Sequence, residues 1–207
     1  MSIENAYNSW AKQYDNNENK TRDLDKKATI STLSNYKFNT VIELGCGTGK
    51  NTLWLLKNAQ KIIGLDFSQE MLNKAKEKIN TANVVFKKAD LTKPWDIEND
   101  FADLVTSSLT LEHIKNLDVI FKQTSQKLKP NGLFFISELH PFKQYSGSKA
   151  RFESENGTVE LEVYTHHISE YLKSAKKYNF KLIEINEWFD QPSESEIPRL
   201  ISFIFKK

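Results

Sequence analysis

Residues 41–52, VIELGCGTGKNT, place three glycines at alternate positions directly behind an apolar run and directly ahead of a stretch with helical spacing. Glycine accepts positive φ and lets a backbone approach a ligand closely, because no Cβ stands in the way. In an open α/β sheet such a loop lies at the carboxyl end of a strand, where ligands bind at a topological switch point. The segment therefore predicts a strand, a ligand-binding loop and a helix. Spelling weakens two phosphate-binding versions. A P-loop requires G-x-x-x-x-G-K followed by Ser or Thr, yet position 44 is Leu and position 51 is Asn. A dinucleotide fingerprint requires G-x-G-x-x-G, and here the third glycine comes one residue early, behind the acid Glu43.

The rest of the chain fits the same architecture. Short apolar runs at 41–44, 62–65, 84–86, 102–106 and 133–137 alternate with amphipathic stretches at 50–58, 69–80 and 117–129, the pattern of βαβ units around a mainly parallel sheet. Pro130, Asn131 and Gly132 read as a helix stop and a tight turn. Ahead of the first strand, the aromatic spacing from Tyr7 to Tyr14 predicts one helix, and residues 23–34 predict a second. After Glu138 comes an irregular insertion, with a strand-like segment at 159–164 and a helix at 168–178. Residues 181–189 and 200–205 then read as two strands that pair antiparallel at one sheet edge.

Three acids mark the ends of three successive strands. Glu43 precedes the glycine loop, where it repels a pyrophosphate and suits a ligand carrying an ammonium group and a sulfonium. Asp66, in the run GLDFS with Phe67 beside it, stands where an acid accepts hydrogen bonds from both ribose hydroxyls. Asp90, in ADL, is placed to meet an adenine amino group. Together they suit an adenosine with a cationic tail.

In this order, E-x-G-C-G-T-G, G-x-D-x-S-x-x-M-L and A-D-L, the motifs over residues 38–140 resemble those of class I S-adenosylmethionine-dependent methyltransferases. The resemblance implies a Rossmann-like three-layer α/β sandwich. Its seven-stranded, mainly parallel sheet has the order 3-2-1-4-5-7-6, with the last strand antiparallel. It implies S-adenosylmethionine as cofactor and S-adenosylhomocysteine as product. Gly45, Gly47 and Gly49 would pass the methionine moiety, with Cys46 a small filler in the same loop; Asp66 would hold ribose, Met71 would pack on adenine, and Asp90 and Leu91 would meet its edge. The fourth motif, 106–113, would set Ser107, Ser108 and Leu109 beside the sulfonium, with Glu112 and His113 next toward the substrate.

Composition narrows the partners. The 29 basic residues against 27 acidic give a net charge of +2, no electrostatic case for a dedicated nucleic-acid binder. A small-molecule acceptor is the expected partner, methylated at oxygen, nitrogen or sulfur; an RNA methyltransferase and a non-catalytic cofactor-binding module are the alternatives. A single Cys excludes an internal disulfide, and the absence of a secretory or membrane-spanning segment predicts a cytoplasmic protein. At 207 residues the chain is expected to form one domain, with residues 1–35 as a helical lid and 140–165 as a substrate cap.

The lid carries Tyr7 and Tyr14 as candidates for the cofactor's sulfonium and carboxylate, Trp10 as a wall of the substrate pocket, and Arg22 as a partner for a carboxylate on either ligand. Glu138, His140, Tyr145 and Arg151 follow the fifth strand and form the candidate acceptor site. His140 and His113 are the candidate catalytic bases, since histidine titrates near neutral pH. Adjacent residues on an extended stretch point to opposite faces, so His166 and His167 do not make a metal site, and none is expected elsewhere.

Overall fold

The computed structural model describes residues 3–11, 13–15, 18–148, 151–154, 157–190 and 197–207, with 151–154 and 157–160 described by their backbone alone. Two helices, α1 (Ile3–Trp10) and α2 (Lys20–Leu33), precede the first strand. There follow β1 (Thr40–Leu44), α3 (Thr52–Leu55), β2 (Lys61–Asp66), α4 (Gln69–Lys78), β3 (Val84–Lys88) and β4 (Ala102–Ser108). A 3-10 turn (Leu111–His113) leads to α5 (Leu117–Lys127), β5 (Leu128–Leu139) and α6 (Pro141–Tyr145). A hairpin of β6 (Arg151–Ser154) and β7 (Gly157–Glu160), then α7 (Ile168–Lys177), β8 (Lys181–Trp188) and β9 (Leu200–Lys206), complete the described elements.

Seven strands form one sheet in the order β3-β2-β1-β4-β5-β9-β8. The pairings from β3 to β5 are parallel, and β9 runs antiparallel to both β5 and β8. This is the order 3-2-1-4-5-7-6 expected from the sequence. Period-two alternation divides the apolar residues between two faces. Val41, Ile62, Leu104 and Phe135 pack under α2 and α3 through Leu33 and Leu55, whereas Ile42, Val105, Phe134 and Phe203 pack under α5 and α7 through Phe121 and Tyr171. Three layers result, and the strand order reverses between β1 and β4, whose carboxyl ends open on a crevice.

Local chemistry sets the helix starts. Asn19, Ser68 and Asn116 each accept a backbone N–H of the first turn of α2, α4 and α5. The structure differs from the sequence expectation at several boundaries. The helix expected over 50–58 keeps one regular turn, 52–55, flanked by looser turns. Pro130, Asn131 and Gly132 lie inside β5 as a bulge opposite β4, with Asn131 at φ +66°, and do not form a separate turn. The strand expected at 159–164 ends at Glu160, where it pairs with β6.

Candidate cofactor and acceptor site

The glycine loop turns where β1 meets its neighbours in register, Leu44 beside Leu65 and Ser107. Gly45, Gly47 and Gly49 all have positive φ. A Cβ on Gly47 would meet nothing within 4 Å, so its backbone is bare toward a ligand. Asp66, at the end of β2, accepts the Gly47 N–H and the Ser68 N–H, both at 2.8 Å, and so fixes the loop to the start of α4.

Two cavities open at these strand ends. The smaller, about 60 Å³, lies against the loop and is lined by Glu43, Gly45, Gly47, Asp25 and Thr106 among others. The larger, about 530 Å³, is lined by Tyr7, Trp10, Glu112, Ser148 and Arg199 among others. Tyr14, Arg22 and Leu109 border both. Leu109 has φ +51°, a left-handed conformation that is costly for a branched side chain and is held here by its N–H bond to the Ser137 carbonyl.

The N-terminal segment covers the crevice. Asn8 of α1 accepts from the Ser68 hydroxyl at 2.7 Å, and Asp15 accepts from the Thr48 hydroxyl at 2.7 Å and pairs with Lys78. The Tyr7 hydroxyl meets His113 Nε2 at 2.9 Å, and the Tyr7 ring packs edge-on to Phe67. The Arg22 guanidinium lies 4.1 Å from the Tyr14 ring centre, a cation–π contact inside a buried cluster. Trp10 also packs with Ala6 and with Leu161, a residue of the expected cap.

Five carboxyls are buried around this crevice: Asp25, Glu43, Asp66, Glu112 and Glu138. Burial pushes Glu43 up to about 8, Glu112 to about 7 and Asp66 to about 6. Glu138 also rises, through burial and then the neighbouring Glu112. A carboxyl whose pKa is higher folded than unfolded binds more protons in the native state, so its contribution is full at low pH and is lost as pH rises through the folded value. Melting temperatures of the ligand-free protein are therefore expected to fall between about pH 4 and pH 8, and a flat or rising profile would contradict this electrostatic account.

The structure gathers most of the predicted cofactor residues, while several predicted acceptor residues turn away. Ser107 and Met71 are buried at the strand and helix ends beside the loop, Cys46 packs in the core against α4, and Leu91, which follows β3, is in the core. Asp90 is exposed, and one of its oxygens accepts from the Thr92 N–H and hydroxyl. His140 caps α6 by accepting the Phe142 N–H and meets Glu187 at 3.1 Å, so both ring nitrogens are engaged and it does not line the cavity. Glu138 accepts the Thr110 and Leu111 N–H groups and pins the 3-10 turn. Tyr145 is exposed and bonds His167. The side chain of Arg151 lies outside the described residues.

The lining residues missed in the sequence include Arg199 and Asp25. Arg199 precedes β9, and because β9 is antiparallel its start meets the carboxyl end of β5, Leu200 beside Leu139. That polarity was the available signal. Asp25 lies three positions after Arg22 on the buried face of α2, a spacing that puts both on one side of a helix.

A family model described as a methyltransferase domain matches residues 42–136. The chain is 28% identical to an uncharacterized methyltransferase of Emericella nidulans over 87% of its own length and 76% of that protein. It is 31% identical to phosphoethanolamine N-methyltransferase 1 of Triticum aestivum over 78% of its own length, but spans only 38% of the wheat protein. The crystal structure of an S-adenosylmethionine dependent methyltransferase from Mesorhizobium loti has the same fold, with a TM-score of 0.75 at 20% identity, covering 89% of this chain and 98% of that one. The matched domain begins within β1 and ends within β5, enclosing the glycine loop and the strand ends that carry the acids, so the chain carries a methyltransferase domain.

Proposed function

We propose that this methyltransferase holds the methionine end of S-adenosylmethionine in the smaller cavity and transfers the methyl group to a small-molecule acceptor in the larger one. The observation that carries this reading is the shared boundary: Tyr14, Arg22 and Leu109 border both cavities, so ligands in the two would meet there. The donor set fits an α-amino acid, with the acids Glu43 and Asp25 on the ammonium side and the Arg22 guanidinium for the carboxylate. The bare face of Gly47 leaves room for the chain between that tail and the sugar. Asp66 takes the ribose hydroxyls, Met71, Phe67 and Leu91 bound the adenine, and the second oxygen of Asp90 serves its amino group.

When bound, S-adenosylmethionine supplies an electrophilic methyl on a sulfonium whose charge is lost as the new bond forms. The protein aligns and encloses. Ser107 and Leu109 fix the end of β4 beside the reacting carbon, and the Tyr7, Trp10 and Tyr14 rings exclude water while presenting π faces to the cation. Holding two reactants in line removes much of the entropic barrier without any covalent participation by the enzyme.

The Tyr7–His113 contact closes this enclosure. Tyr7→Phe removes one part-buried hydrogen bond of about 1 kcal/mol, so S-adenosylhomocysteine affinity is expected to fall about fivefold and amide exchange of residues 3–11 to quicken by a similar factor. Unchanged exchange would show that the contact does not hold the lid. The functional reading itself is tested by supplying labelled S-adenosylmethionine to a metabolite extract and, separately, to bulk RNA. Label is expected in the small-molecule fraction, and label confined to RNA would replace this reading.

A further inference from the structure

The two histidines expected to act as bases are occupied, yet Glu112, the buried carboxyl of the acceptor cavity's lining, is in a position to take a proton. His113 donates from Nδ1 to the Glu162 carbonyl at 3.2 Å, which leaves Nε2 to accept the Tyr7 hydroxyl. Its neighbour Glu112 is 8% exposed and lines the larger cavity. Gln144 donates to Oε2 of Glu112 at 3.2 Å and fixes the carboxyl plane. No donor among the described residues reaches the other oxygen, Oε1, and His113 Nε2 stands 4.0 Å from it, beyond hydrogen-bond range.

We propose that Glu112 binds the acceptor as a protonated amine through Oε1 and removes its proton, so that the substrate class is a small primary or secondary amine. The inference rests on the reading of the larger cavity as the acceptor site. A buried carboxylate without a facing cation is costly, and a ligand ammonium is the partner that offsets this cost. The aromatic faces of Tyr7 and Trp10 in the same wall favour a cation as well. In the step, an N–H bond breaks and its proton moves to Oε1. The freed lone pair forms the N–CH₃ bond, and the electron pair of the breaking S–CH₃ bond stays on sulfur. Burial supports the role by pushing Glu112 up to about 7, where the group is ionised in part and accepts a proton readily at neutral pH.

The groups facing Glu112 are His113 in its own turn, Tyr7 from α1, Glu138 from β5 and Tyr171 from α7. Arg22, Lys20, Glu18 and Arg199, the last ion-paired with Asp190, line the same cavity. The ionised form of Glu112 raises the pKa of Glu138, and a cationic amine on Glu112 offsets that repulsion.

The test uses 2-phenylethylammonium and its uncharged isostere 2-phenylethanol, titrated calorimetrically into protein saturated with S-adenosylhomocysteine. The wild type is expected to bind the ammonium about tenfold tighter than the alcohol at pH 8, and to lose that preference below about pH 6. E112Q is expected to bind S-adenosylhomocysteine normally and to show no preference, whereas E112D retains part of it. The same two probes supplied with S-adenosylmethionine should yield methylated amine and no ether, with the amine rate in E112Q down about a hundredfold. Equal or absent binding of both probes by the wild type, a preference that survives in E112Q, or methylation of the alcohol would each overturn the proposal. Failure of the wild type to bind S-adenosylhomocysteine would instead overturn the reading on which it rests.

Discussion

Replacing Asp66 with alanine is expected to lower the affinity for S-adenosylmethionine by about two to three orders of magnitude, measured by calorimetry. Two contributions add. The carboxylate is the proposed acceptor for the ribose hydroxyls, and hydrogen bonds to a charged group are worth about 1.5–3 kcal/mol each. It also accepts the Gly47 and Ser68 N–H groups, so its removal frees the glycine loop from the start of α4. Asp66→Asn keeps only part of each: the amide oxygen still accepts one of the two N–H groups, while the amide nitrogen sets a donor against the other, so the tether and the affinity are both expected to weaken. Affinity in Asp66→Ala within about threefold of wild type would rule out the ribose assignment.

Gly45→Ala is expected to abolish binding and to cost the fold heavily. At φ +65° an L side chain is strained by about 1–2 kcal/mol. Its Cβ would also stand 2.1 Å from Thr110 Oγ1 and 2.9 Å from Thr110 Cβ, an overlap that must push the 3-10 turn away. Thr110→Ala removes the closest atom but leaves the Cβ overlap and the backbone strain, so the double variant should recover only part of the loss. The measurement is denaturant unfolding of both variants beside wild type. A Gly45→Ala midpoint equal to wild type would show that the loop and the 110–113 turn are not coupled as described.

How much of this was legible beforehand depended on whether a property is local. Residues 41–52 spelled their own loop, because three glycines behind an apolar run have few alternatives, and the sheet order came only from the resemblance that the motifs carry. Asp66 was visible because an acid ending the second strand has a fixed place relative to the loop. Histidines 113 and 140 misled in one way: composition shows that a ring can titrate, but only the fold shows that both nitrogens already have partners. Glu138 was read as facing substrate, whereas its oxygen serves two backbone N–H groups that the turn at 110–111 leaves unpaired. Arg199 was out of reach for another reason. It is brought to the cavity by the antiparallel return of β9, a contact 178 positions away from Thr21, whose hydroxyl accepts from its guanidinium. Element boundaries were least legible where β5 takes in Pro130 and Gly132, since a bulge and a turn draw on the same residue types.

The central claim is that one crevice at the ends of β1 and β4 holds the cofactor's amino-acid tail beside a separate acceptor cavity. A crystal structure with S-adenosylhomocysteine tests it most directly. The account predicts the ribose on Asp66, the chain across Gly47, the carboxylate at Arg22 and the sulfur beside Leu109, facing the cavity lined by Tyr7 and Glu112. Density for the nucleoside elsewhere, or a sulfur directed away from that cavity, would contradict it.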